Sequence, residues 1–141
     1  MKGDTYGVEA WANWQVTAWW RLSPGITVLH EQLRFKPGAS GILGIAQAAD
    51  DPSAHAELSS SMDLGSRVAL EATLRYVGAF PNPALPHYYD LNARIGWRVS
   101  NSLDLSVNGL NLLHARHYEF PSSQGGEPIG RSLMGEARWR F

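Results

Sequence analysis

The chain has 141 residues and a formal net charge of −1, so no whole-chain field marks nucleic acid as a partner. It has no cysteine, which excludes a disulfide scaffold, a thiolate zinc site and a cysteine nucleophile. No stretch approaches the roughly 20 consecutive apolar residues of a membrane helix.

The dominant hydrophobic period is two, the period of a β-strand with one apolar and one polar face. The first predicted strand spans 6–16: Val8, Ala10, Ala12, Trp14 and Val16 alternate with Glu9, Asn13 and Gln15. A second spans 19–34, with Trp20, Leu22, Ile26 and Val28 against Arg21, Ser23 and Thr27. The 35–53 segment is a loop, and Gly41 to Ala49 within it has room for one short helix. The third strand, 54–64, sets Ala56, Leu58, Met62 and Leu64 against Glu57, Ser59, Ser61 and Asp63. The fourth, 68–80, sets Val68, Leu70, Ala72, Leu74 and Tyr76 against Glu71, Thr73 and Arg75. The fifth, 87–99, alternates most strictly: Tyr89, Leu91, Ala93, Ile95, Trp97 and Val99 face away from Asp90, Asn92, Arg94, Gly96 and Arg98. The sixth, 103–117, opens with Leu103, Leu105 and Val107 against Asp104, Ser106 and Asn108. The last, 131–141, places Leu133, Gly135, Ala137, Trp139 and Phe141 opposite Ser132, Glu136, Arg138 and Arg140.

Short turns near Thr17-Ala18, Gly65-Ser66-Arg67 and Asn101-Ser102 alternate with longer loops at 35–53, 81–86 and 118–130. The expected fold is therefore all-β, an antiparallel meander of about seven long strands. Strands of this length, with short turns at one end and long loops at the other, are the habit of a transmembrane β-barrel. Alternation alone does not say which face meets the core. Three features favour lipid on the apolar side. The polar face carries charges of both signs, suited to a wet lumen in which arginine and carboxylate pair across strands. Aromatics gather near strand ends, where interfacial girdles sit, with Trp14, Trp20, Tyr89 and Trp97 the foremost candidates. The chain also stops on an apolar-face aromatic, Phe141. The alternatives are a small structural outer-membrane barrel serving as anchor or adhesin, and a soluble β-sheet binding module with a solvated polar face.

Four segments resemble the carboxy-terminal part of a TonB-dependent outer-membrane receptor. They are Gly7-Val8-Glu9-Ala10 followed by Trp14, Asp51-Pro52-Ser53-Ala54-His55, the penultimate-strand segment Asn108-Gly109-Leu110-Asn111-Leu112-Leu113 with His117-Tyr118-Glu119-Phe120 after it, and the closing Arg131-Ser132 through Trp139-Arg140-Phe141. The resemblance implies that residues 1–141 are the last strands of a barrel of about 22 strands, with the plug domain, the TonB-contacting box and the signal peptide lying outside this chain. It implies uptake of a scarce ligand such as a ferric siderophore or a vitamin, in the bacterial outer membrane. The implied partners are outer-membrane lipid, the rest of the barrel and its plug, the TonB complex, and the barrel assembly machinery. That machinery is expected to read Phe141 with Gly135, Ala137 and Trp139 at alternate positions before it, by adding a strand to an exposed edge.

Little else in the chain suggests chemistry. The glycines at 38, 41 and 44 and at 125, 126 and 130 lack the Gly-Lys-Ser/Thr ending of a phosphate loop. Ser59-Ser60-Ser61 lies inside a strand, without the strand-turn-helix setting of a hydrolase nucleophile. His114 and His117 fall on opposite faces of an extended segment, short of the three or four convergent ligands zinc needs. The reading is of no enzyme, no cofactor and no metal. Ligand contact is expected in the long loops, through Phe35, Tyr118 and Phe120, which otherwise belong to the upper girdle.

Overall fold

The computed structural model describes residues 2–38, 51–80, 85–118 and 127–141. The strands are β1 (Lys2–Trp11), β2 (Trp14–Thr17), β3 (Trp20–Arg34), β4 (Ala54–Leu64), β5 (Val68–Val77), β6 (Tyr88–Arg98), β7 (Leu103–Leu110), β8 (Arg116–His117), β9 (Ile129–Gly130) and β10 (Ser132–Trp139). They form one antiparallel sheet in the order β1-β3-β4-β5-β6-β7-β10, with β2 also on β3, and β8 and β9 make a separate two-stranded ribbon. The meander expected from the alternation is present. Of its three long loops, the Gly41–Ala49 stretch and Phe120 lie outside the described residues.

The predicted 68–80 strand ends at Val77, and three further elements depart from expectation. The first predicted strand is split, and it starts earlier. Trp11 pairs with Gly25 and Trp14 with Leu22, so the register runs unbroken across the gap. Pro24 stands opposite that gap. It has no N–H to give, so the ladder loses a bond there while Ala12 N still donates to the Pro24 carbonyl at 3.0 Å. Ser23 Oγ donates to Asn13 Oδ1 at 2.7 Å and bridges the same interval. The predicted 103–117 strand stops at Leu110, because Asn111 adopts φ 56°, a left-handed conformation that ends extended structure. The closing strand begins as β9, breaks at Arg131, and resumes as β10.

The two faces of the sheet differ in burial. Cross-strand register puts Leu58, Leu74 and Leu91 in one row and Met62, Leu70, Ile95 and Val107 in another, all on one face. That face stays open: Ile95 is 49 % exposed and Val107 also 49 %. Among the described residues, the buried side chains are those of Val77, Asp90 and Ser106, and all three lie on the opposite, polar face. Side chains inside a curved wall converge and screen one another, while those outside splay apart. The polar face is thus the inner one. Leu91, Ile95, Leu105 and Ala137 converge on no interior. Trp11, Leu29, Leu33, Val77, Leu110 and Met134 are apolar exceptions on the inner face.

The outer apolar band has an upper limit. Beyond Ala10 and Val28, the same face of the β1–β3 pair carries Tyr6 opposite His30, Asp4 opposite Gln32 and Lys2 opposite Arg34. β3 is 15 residues long and runs past the greasy belt on the long-loop side.

Candidate functional site

The inner wall is built of cross-strand rows. One row reads Glu57, Arg75, Asp90 across β4, β5 and β6; another reads Ser61, Glu71, Arg94, Asn108 across β4 to β7; a third reads Arg98, Asp104, Arg138 across β6, β7 and β10. Acid opposite base follows from the register, and neighbouring charges do pair: Arg75 with Asp90 and Arg94 with Glu71, each at 3.5 Å.

Asp90 is the most buried charge among the described residues, with a side chain 2 % exposed. Its Oδ2 accepts from Arg75 Nη2 and, at 3.0 Å, from Asn92 Nδ2. Asn92 Oδ1 in turn accepts from the Asn111 backbone N–H at 3.0 Å, and Asn111 Nδ2 donates to the Gly130 carbonyl at 3.1 Å. One chain of bonds therefore links β5, β6, the turn after β7 and β9. Leu112 N donates to the Leu91 carbonyl at 2.9 Å, which carries β6 pairing past the turn. The Leu112 side chain folds back over Gly109, where a Cβ would stand 2.8 Å from Leu112 Cδ2. The Asn-Leu-Leu segment is thus a clasp at the base of the 118–130 loop, not a strand. The β8–β9 ribbon lies beside it, pairing Arg116 with Gly130 and His117 with Ile129.

Aromatics mark both ends of the wall. At the long-loop end, the Tyr76, His87 and Tyr89 rings lie 5.0–6.2 Å apart, and Tyr118 lines an adjoining cleft with His87 and His114. Phe35 directly follows β3 and is half-buried. At the short-turn end, Trp14 opens β2, Trp20 opens β3 and Trp97 lies one residue from the end of β6. Trp20 Nε1 donates to Ser60 Oγ at 3.0 Å. Ser60 sits on the apolar face, and this bond gives the indole N–H a partner there. The closing strand presents Gly135, Ala137 and Trp139 on the outer face, opposite Val107, Leu105 and Leu103, with Phe141 beyond its end and fully exposed. Asn108 lies on the inner face between Arg94 and Met134.

Sequence reasoning missed the Asp90–Asn92–Asn111 chain. The signal for half of it was present, since Asp90 and Asn92 are two apart on one face. The rest joins residues 19 apart through a turn whose geometry depends on a left-handed asparagine.

No protein-family model matches the chain, and no curated protein matches it by sequence. Solved structures do match in shape. One is the ferric-catecholate import receptor Fiu from E. coli K12 in its open form, 21 % identical, with a TM-score of 0.72 over 97 % of this chain and 21 % of that one. Another is the FpvAI–pyocin S2 complex, 18 % identical, with a TM-score of 0.72 over 97 % of this chain and 19 % of that one. The first of these is an import receptor. The chain spans about a fifth of their length, and over that span its fold is that of the β-barrel wall of these two structures.

Proposed function

We propose that this chain is the closing part of a TonB-dependent receptor barrel in a bacterial outer membrane, and that the whole receptor takes up a scarce ligand of the ferric-siderophore or vitamin class. The observation that carries the reading is the open apolar outer face, bounded by aromatics at both ends, on a sheet shaped like receptor barrel wall. A face with this many exposed leucines, valines and tryptophans has no stable place in water, and lipid is the medium that fits it. Charges line the inner side, where a water-filled or plugged bore tolerates them. The Tyr118 cleft and Phe35 are the proposed ligand-contacting parts at the outer end. Gly135, Ala137, Trp139 and Phe141 are the proposed assembly signal, and the plug and the TonB complex the proposed partners.

The test is fractionation and uptake in the native cell under iron limitation. The protein is expected in the outer-membrane fraction, and deletion of its gene is expected to lower uptake of an iron-55 ferric catecholate at least tenfold. Removal of Phe141 alone lowers the amount of inserted protein in the same assay. Recovery of the gene product in the soluble fraction refutes the proposal.

A further inference from the structure

At the short-turn end of the inner wall, pairing stops being one to one. Five arginines (67, 94, 98, 138 and 140) share one hollow with only three carboxylates, those of Asp63, Asp104 and Glu136. Asp104 alone takes Arg98, at 3.7 Å, and Arg140, while Arg138 turns to Glu136 Oε1 at 3.2 Å. Arg67 meets no carboxylate among the described residues, and Arg94 already holds Glu71. The floor of the hollow is shaped for this crowding. Gly96 is buried, and a Cβ on it would stand 3.2 Å from Arg94 Nη1, closer than ordinary van der Waals contact, so its bare backbone gives that guanidinium room above the sheet. The guanidinium-bearing side chains of Arg98, Arg138 and Arg140 are 59 %, 66 % and 52 % exposed.

We propose that this hollow is a binding site for an acidic polypeptide segment at the short-turn mouth of the bore. The arrangement of the charges selects that ligand. Arg67 lies in the turn before β5, Arg98 ends β6, and Arg138 and Arg140 lie on and just past β10. Those strands are successive neighbours through β7, so the cations spread over three interstrand steps, roughly 14 Å. A lone oxyanion needs donors that converge on a point; an extended chain bearing several carboxylates matches a line. Planar guanidinium forks suit carboxylates, two bonds at a time. The site rests on the barrel reading, since it needs the polar face to line a bore.

The test uses the full-length gene product extracted in detergent, titrated calorimetrically with hexaglutamate peptide and with inorganic phosphate. Hydrogen exchange is followed in the wild type and in an Arg138→Glu/Arg140→Glu variant. If the site is vacant, hexaglutamate binds and the reversal weakens it at least tenfold. If an acidic segment of the same protein already fills it, hexaglutamate does not bind and the reversal deprotects that segment's amides. Either result supports the proposal. Arg138→Lys keeps the charge but loses the planar fork, and is expected to weaken binding by about threefold; a loss equal to that of the reversal refutes the electrostatic basis. Phosphate binding without hexaglutamate binding assigns a small-ion site instead, and no binding with no deprotection overturns the site altogether. Membrane fractionation of the same variants reads the barrel proposal separately.

Discussion

Asp90 and Asp104 are two aspartates on the same inner face, each beside an arginine, and they serve different ends. Asp90 is 2 % exposed and bonded to Arg75 and Asn92, and through Asn92 it reaches the turn that ends β7. Its Oδ1 meets no hydrogen-bond donor among the described residues. Asp104 is 26 % exposed and sits in an excess of arginine at the other end of the wall. Register alone set acid beside base in both cases. What separates them is what lies beyond the pair: at Asp90 a backbone to be held in place, at Asp104 open space and spare positive charge. A cross-strand ion pair is therefore structural or available according to its burial and its surplus.

The largest effect expected from breaking this contrast is at the buried end. Asp90→Ala leaves Arg75 and Asn92 without their shared acceptor and is expected to cost about 2–3 kcal/mol of unfolding free energy, the range for a charged hydrogen-bond acceptor lost from a buried network. Urea unfolding of the protein in lipid vesicles measures it, with raised hydrogen exchange at Asn111 and Gly130 as the local sign. A loss under about 0.5 kcal/mol places Asp90 with the ordinary wall pairs.

One step along the same chain, Asn111→Ala forces a β-carbon into the left-handed region and removes the bond to Gly130. The expected cost is about 1–2 kcal/mol. Asn111→Gly sharpens the result: it relieves the backbone but not the lost side-chain bond, so it recovers about half of that cost. Equal losses in the two variants assign the whole effect to the side chain.

The smallest stability effect is expected at Asp104. Asp104→Asn removes one carboxylate from a solvated cluster and shifts unfolding by no more than about 0.5 kcal/mol, because exposed pairs contribute little. Its consequence is electrostatic: with one negative charge gone from among five arginines, hexaglutamate binding tightens. A destabilisation as large as that of Asp90→Ala erases the distinction between the two sites.

Much of this was legible in the residues. The alternation from Tyr89 to Val99 fixed both faces of β6 and nearly its ends, and Ala54–Leu64 matched its predicted span. The mixed charges opposite the apolar rows announced pairing across strands. The turn after β7 was not legible, because extending the Leu103–Val107 period through Asn111 looks as natural in sequence as ending it there. The split between β1 and β2 was hidden as well. Its cause, Pro24, belongs to the neighbouring strand, and only pairing brings it opposite Ala12.

Taken by itself, the sequence determined that these strands are amphipathic, antiparallel and joined alternately by short and long connections, because a period of two and the turn residues are properties of the chain alone. Which face points inward, where arginine exceeds its partners, and which aspartate is sealed from solvent were decided by the tertiary structure, because curvature and register bring together side chains that no local spacing relates.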